Sequence, residues 1–229
     1  METIKIGIIG CGAMGLGLAR RVSNCDTRIE MAAIYDPEPA SVENARRLLG
    51  ESAVVCGDYR QITDMPDIQW VMIASWNCYH AEQAIAAFEA GKHVFCQKPI
   101  ALTVDECVRM RDAWERSGKL FNIGFTLRYS PHYRKIKSLI AEGRIGDIVS
   151  MEFNETLDFN HGGYIMGDWR RLRKYAGSHL LEKCCHDIDL ANWMIESLPR
   201  RVASFGGLDF FLPENESYAR EIGEREDGK

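Results

Sequence analysis

The stretch Gly10-Cys11-Gly12-Ala13-Met14-Gly15 decides how the chain is read. It follows an apolar run over 4–9 and opens a helical pattern over 13–22, so the glycines sit at a strand-to-helix turn. Gly10 permits the tight turn, Gly12 lets backbone approach a pyrophosphate, and Gly15 lets the helix pack on the strand. The helix start, Ala13 and Met14 included, offers free N–H groups to an anion. A second apolar run over 29–35 ends in Asp36, about 20 residues past the glycines, where a carboxylate can accept both hydroxyls of an adenosine ribose. Its charge repels a 2'-phosphate, so NAD is favoured over NADP. A glycine turn with no ligand is the bland alternative, and strand, helix and acid in register argue against it.

Outward from this turn the pattern repeats. Strands are expected over 54–56, 70–74, 93–96 and 120–125, with helices over 40–49, 79–90 and 104–117 between them. Strands alternating with helices imply right-handed crossovers and a doubly wound parallel sheet. The rhythm changes after Gly124. A helix is expected over 131–142, a half-exposed strand over 148–156, a long helix over 180–195 and a strand over 201–205. Residues 1–124 are accordingly assigned to a dinucleotide-binding α/β domain and 125–229 to a second, α+β domain. The tail over 214–229 is charged, glycine-bearing and without apolar period, and reads as unfinished rather than terminal. That second domain is therefore expected to be truncated, with a longer natural form and a chain incomplete as a catalyst.

The 229 residues are 46% hydrophobic and 27% charged, ordinary globular proportions that exclude disorder and collagen-like repeats. Lys+Arg 28 against Asp+Glu 33 leaves a net charge of -5 and no basic field for nucleic acid. A secretory leader pattern and a bilayer-spanning run are both missing from the sequence, so a cytoplasmic protein without membrane contact is expected. The 8 cysteines are scattered without CxxC spacing and are expected to be reduced and mostly buried.

Two further segments lie at strand ends, the carboxyl edge where open α/β sheets bind ligands. They are Ala74-Ser75-Trp76-Asn77-Cys78-Tyr79-His80 and Phe95-Cys96-Gln97-Lys98-Pro99-Ile100. With the segment 124–131, Trp169-Arg170 and Leu181-Glu182-Lys183-Cys184-Cys185-His186-Asp187-Ile188-Asp189, they resemble the Gfo/Idh/MocA family of glucose-fructose oxidoreductases and inositol dehydrogenases. The resemblance runs from the first strand to about Asn192, with the motifs in family order. It implies an N-terminal Rossmann domain, bound NAD, and oxidation of a sugar, inositol or polyol hydroxyl. Ser75, Trp76, Asn77 and His80 fall on the segment beside the cofactor, together with Gln97, Lys98 and Arg128. Lys98 falls on the catalytic lysine of a Glu-Lys-Pro motif, often followed by a cis proline. Glu182 and His186 fall on a helix-borne Asp-x-x-x-His pair that faces substrate, and Trp169 and Arg170 line the same cleft. Homo-oligomers, dimers or tetramers, are the family's usual state. The chain departs from the pattern where Gln97 replaces glutamate, Glu182 aspartate and Thr126 asparagine.

The residues support that chemistry independently. Oxidising a secondary alcohol needs a hydride acceptor, a base for the hydroxyl proton and a positive group against the developing alkoxide, which NAD, His186 and Lys98 would supply. At i and i+4 Glu182 and His186 share a helix face, so the carboxylate can orient the imidazole or hold a second hydrogen bond to substrate. Bland alternatives are a surface Lys98 and a core His186. A metal stripe of His179, Glu182 and His186 lacks standard zinc spacing, so no metal is expected. A glycosidase using bound NAD and a non-catalytic dinucleotide sensor share the architecture and stand as alternatives.

Overall fold

The computed structural model of the chain describes residues 3–50, 52–157, 165, 168–207, 209–210 and 212–222. Six strands form one sheet: β1 (Ile4–Ile9), β2 (Ile29–Tyr35), β3 (Val54–Val55), β4 (Trp70–Ile73), β5 (His93–Cys96) and β6 (Phe121–Ile123). All pairs are parallel, in the order β3-β2-β1-β4-β5-β6. The chain leaves β1 in one direction and returns to β4 on its other side, which opens a crevice at the carboxyl ends of β1 and β4.

Helices cover both faces of a parallel sheet, so its central strands read as continuous apolar runs. Ile6 and Ile8 of β1 pack with Met31, Ile34 and Met72 under α1 (Ala13–Ser23) and α2 (Pro39–Leu49). Ile9 packs on the opposite face with Val71, Ile73, Val94 and Cys96 under α4 (His80–Glu89) and α5 (Val104–Ser117). The start of α5 is set by a reciprocal capping box between Thr103 and Glu106, and its end by Gly118 at φ 63. A short helix, α3 (Tyr59–Asp64), escapes the sequence reading because six residues hold too little of a 3.6-residue period. Its cap, Asp58 accepting from Arg60 N, was the available signal.

Beyond β6 come a 3-10 turn (Thr126–Tyr129), α6 (Pro131–Ala141), a second 3-10 turn (Trp169–Arg171), α7 (Arg173–Ala176) and α8 (His179–Ile195). Ser178 caps α8 by accepting from Leu181 N at 3.1 Å. The strands expected over 148–156 and 201–205 are not formed; among the described residues every strand belongs to the one sheet. Alternation marks a face to be buried, but a strand also needs a neighbour to complete its ladder. Val149, Val202 and Phe205 are instead 95%, 80% and 96% exposed. The tail corrects the reading in the other direction, with α9 (Glu216–Ile222) standing where no element was expected. Residues 223–229 of that tail lie outside the described ones. Among the described residues no helix is long and apolar enough to cross a membrane.

Candidate active site

The glycine turn uses its three glycines differently. Gly10 has φ +94, and a Cβ there would strike the backbone of Ala74 and Ser75; one at Gly15 would strike the Gly10 carbonyl oxygen. These two serve the close approach of β1, α1 and β4. Gly12 has nothing within 4 Å of its missing Cβ and stands as N-cap of α1 with no side-chain cap. The first-turn amides, Ala13 and Met14 among them, have no intrahelical partners. Asp36 is seated on the lip of this turn, Oδ2 accepting from Cys11 N at 2.7 Å and Oδ1 from Glu38 N at 2.9 Å. Burial, and then the Asp36 charge, push the Cys11 thiol up to about 12, so it stays protonated and inert.

The ends of β4 and β5 meet α8 around one carboxylate. Lys98, joined to Pro99 by a cis bond, donates from Nζ to Glu182 O at 2.6 Å and Glu182 Oε1 at 3.2 Å. Asn77 Nδ2 donates to Glu182 Oε2 at 2.6 Å and to Ala176 O at 3.2 Å. Arg170 Nε lies 3.7 Å from Glu182 Oε1. Glu182 is thus the shared counter-ion of two cations in a site where the side chains of Lys98 and Glu182 are 18% and 7% exposed. Both carboxylate oxygens are engaged, Oε2 by Asn77 and Oε1 by Lys98 and Arg170.

His186 lies one turn further along α8, edge-on to Phe125 at 5.9 Å, with Nδ1 buried and unpartnered. Burial first, then the Lys98 and Lys183 charges, lower its pKa to about 4. The imidazole is neutral at pH 7 and free to accept a proton. Gln97 holds Oε1 against Lys98 N at 3.1 Å, while its buried Nε2 has no partner. An open Gly12 cradle, an acid at its lip and an unpartnered amide donor at the end of β5 together fit a dinucleotide.

Other expected cofactor residues have partners within the protein. The His80 ring is buried, Nδ1 at 2.8 Å from Pro99 O and Nε2 at 3.1 Å from Ser75 O, so it ties the Pro99 loop to the end of β4 instead of facing a ligand. Ser75 Oγ donates to Gln83 Oε1 at 2.6 Å. The Arg128 guanidinium forks onto Asp189 at 2.7 and 2.6 Å and holds its turn to α8. Trp76 stacks on Trp169 at 5.2 Å, with Arg170 over the far ring at 4.3 Å, so the β4 loop and the Trp169–Arg171 turn form one wall of the cleft. Lys183 and Glu155 were missed: adjacency to Glu182 could have flagged Lys183, but nothing in the sequence pointed to Glu155. Among the described residues no group of three or more His, Cys, Asp or Glu is placed to hold a metal ion.

Comparison with known proteins adds the lineage. The model described as "Oxidoreductase family, NAD-binding Rossmann fold" of GFO/IDH/MocA matches residues 4–125, and the GFO/IDH/MocA C-terminal domain model matches 133–220. The inositol 2-dehydrogenase of Gluconacetobacter diazotrophicus is 32% identical over 201 residues, covering 85% of this chain and 55% of that protein. The scyllo-inositol dehydrogenase from Lactobacillus casei, solved with NAD(H) and scyllo-inositol, superposes with TM-score 0.73 at 29% identity, over 85% of this chain and 57% of that one. A levoglucosan dehydrogenase in complex with NADH and levoglucosan gives TM-score 0.72 at 31% identity, over 85% and 54%. The chain spans about half the length of the curated relatives it matches. With the glycine turn, the lysine–proline loop and the α8 pair all in place under matching family models, the chain belongs to the Gfo/Idh/MocA family of oxidoreductases.

Proposed function

We propose that this protein is an NAD-dependent dehydrogenase acting on a CH–OH group of a sugar, inositol or related polyol. The observation that carries the reading is the Lys98 ammonium held on Glu182 beside a neutral His186, at the carboxyl edge of the sheet that bears the open Gly12 turn. When bound, NAD supplies the hydride acceptor. The first-turn amides of α1, Asp36 and Gln97 would hold it. Lys98 presents positive charge to the oxygen that becomes alkoxide, fixed in direction by Glu182 so that no reorganisation is needed during reaction. His186 takes the hydroxyl proton, a role typically worth roughly 10²–10⁴-fold in rate. Trp76 and Trp169 narrow the cleft against water.

Eight free thiols suit a reducing cytoplasm. Exposed Val149, Val202 and Phe205 favour association of the working enzyme into homo-oligomers. The domain boundary at 124/125 belongs to the same proposal.

Two measurements test the reading. Calorimetric titration is expected to show NAD(H) bound more tightly than NADP(H), and Asp36→Ala to narrow the gap. The variant also strips Cys11 N and Glu38 N of their acceptor, so NAD(H) itself weakens by about tenfold or more. Equal affinities in the unmutated protein would refute the cofactor choice. Secondly, NADH formation with polyols should hold steady as pH falls through 6.5 and be lost only near pH 4, because a base with lowered pKa stays unprotonated down to its own value. An acid limb at the ordinary histidine position removes His186 as the base.

A further inference from the structure

The sheet is built of two like halves. In the order β3-β2-β1-β4-β5-β6, the strands β1, β2 and β3 lie to one side of the crevice and β4, β5 and β6 to the other, so β5 stands to β4 as β2 stands to β1. Each half of such a sheet takes one nucleotide of a dinucleotide. Asp36 is the residue that follows β2, and Gln97 is the residue that follows β5. The two therefore hold equivalent places, Asp36 at the adenosine end and Gln97 at the nicotinamide end.

Gln97 is firmly seated, with one end of its amide unused. The residue is 6% exposed, and its main-chain N–H donates to Ile73 O at 2.9 Å. The Lys98 main-chain N–H needs an acceptor, which makes the side-chain atom 3.1 Å from it the oxygen and leaves the Nε2 donor without a partner. Gly124 closes on the amide from the end of β6, where a Cβ would lie 2.7 Å from Gln97 Oε1. A buried donor left unmade is costly, so the amide is set for an acceptor brought by a ligand, and a ribose hydroxyl is one.

Charge is where Gln97 differs from Asp36. Glutamine has the shape of the glutamate in the family pattern and none of its charge. Close by, Lys98 and Arg170 set two positive charges against the buried carboxylate of Glu182. Asp168 also holds Arg170, at 2.8 Å, but its side chain is 40% exposed and water weakens its field. An oxidised nicotinamide ring is itself positive and a reduced one is neutral, so this surplus acts against the oxidised form alone.

We propose that Gln97 selects the oxidation state of the dinucleotide: its uncharged amide leaves the surplus positive charge at the end of β5 standing, and the protein holds NADH more tightly than NAD+. This rests on the dehydrogenase reading above. In the oxidation, the carbinol hydride passes with its electron pair to the nicotinamide ring and the hydroxyl proton to His186, so the ring loses its charge as the alcohol becomes a carbonyl. The bound equilibrium is drawn toward that product by the ratio of the two affinities.

The test is calorimetric titration of the full chain with NADH and with NAD+. The unmutated protein is expected to bind NADH about tenfold more tightly, the scale of one unit charge acting within a half-buried site. Gln97→Glu keeps the shape and adds the charge, and should remove most of that gap by tightening NAD+. Gln97→Met lacks both donor and charge, and should weaken the two forms alike. Asp36→Asn, at the adenosine end, should also leave the ratio unchanged. Equal affinities in the unmutated protein overturn the proposal, and that measurement depends on no variant. An unmoved ratio in Gln97→Glu overturns it too, as does a ratio moved equally far by Asp36→Asn. The dehydrogenase reading survives each of these results, whereas an unmutated chain that binds neither form sinks both together.

Discussion

Glu182→Leu is expected to cost the folded protein about 3–5 kcal/mol, the range found when one partner of a buried ion pair is removed. The leucine leaves Lys98 and Arg170 without their shared counter-charge and Asn77 Nδ2 with only the Ala176 carbonyl. Lys98 keeps its bond to the main-chain oxygen of residue 182, which is too little to offset a buried ammonium. Glu182→Gln should cost less. Its amide oxygen still accepts from Asn77 or Lys98, while its NH2 faces the other donor and the charge is lost. Denaturant unfolding of both variants decides the matter, with a lower midpoint at unchanged slope as the expected signature. A leucine variant within about 0.5 kcal/mol of the parent, the usual effect at uninvolved surface positions, would show that Glu182 is not the counter-ion the geometry makes it.

The parts of this molecule legible in its sequence are those governed by local period. The expected spans over 4–9, 29–35, 93–96 and 104–117 coincide with β1, β2, β5 and α5, because each is a clean apolar run or amphipathic stretch ended by a turn or cap. The segment over 148–156 has equally clean alternation and forms no strand. A period states which face wants burial and is silent on whether a pairing partner exists. The same division runs through the site. That Glu182 and His186 share a face follows from helix geometry, and the structure agrees. What Glu182 binds does not follow, since Asn77 and Lys98 are 105 and 84 residues distant along the chain. His80 is a satisfied core histidine, its two nitrogens both meeting backbone carbonyls. Residue type alone does not separate a histidine that props a loop from one with an unpartnered ring nitrogen. Burial and partners do.

Lys98→Met is expected to lower turnover by about 10²–10³-fold, the effect of deleting one preorganised group that stabilises developing negative charge. Methionine matches the length and apolar stem of lysine, so the end of β5 and the Pro99 loop keep their packing. Glu182 retains Asn77 at 2.6 Å and Arg170 at 3.7 Å, so the carboxylate is not stranded and stability should fall less than in Glu182→Leu. Dinucleotide affinity should change only a few-fold, because the Gly12 turn and Asp36 lie on β1, α1 and β2, away from the lost charge. One consequence separates an electrostatic role from a packing one. After burial, Lys98 is the largest influence holding the His186 pKa down, so its removal should raise the NMR midpoint of that imidazole from about 4. The acid limb of any residual activity should rise with it, the same direction because the base then protonates at higher pH. Near-normal turnover in a folded Lys98→Met protein, with the His186 midpoint unmoved, would mean that the lysine does not face the reacting centre.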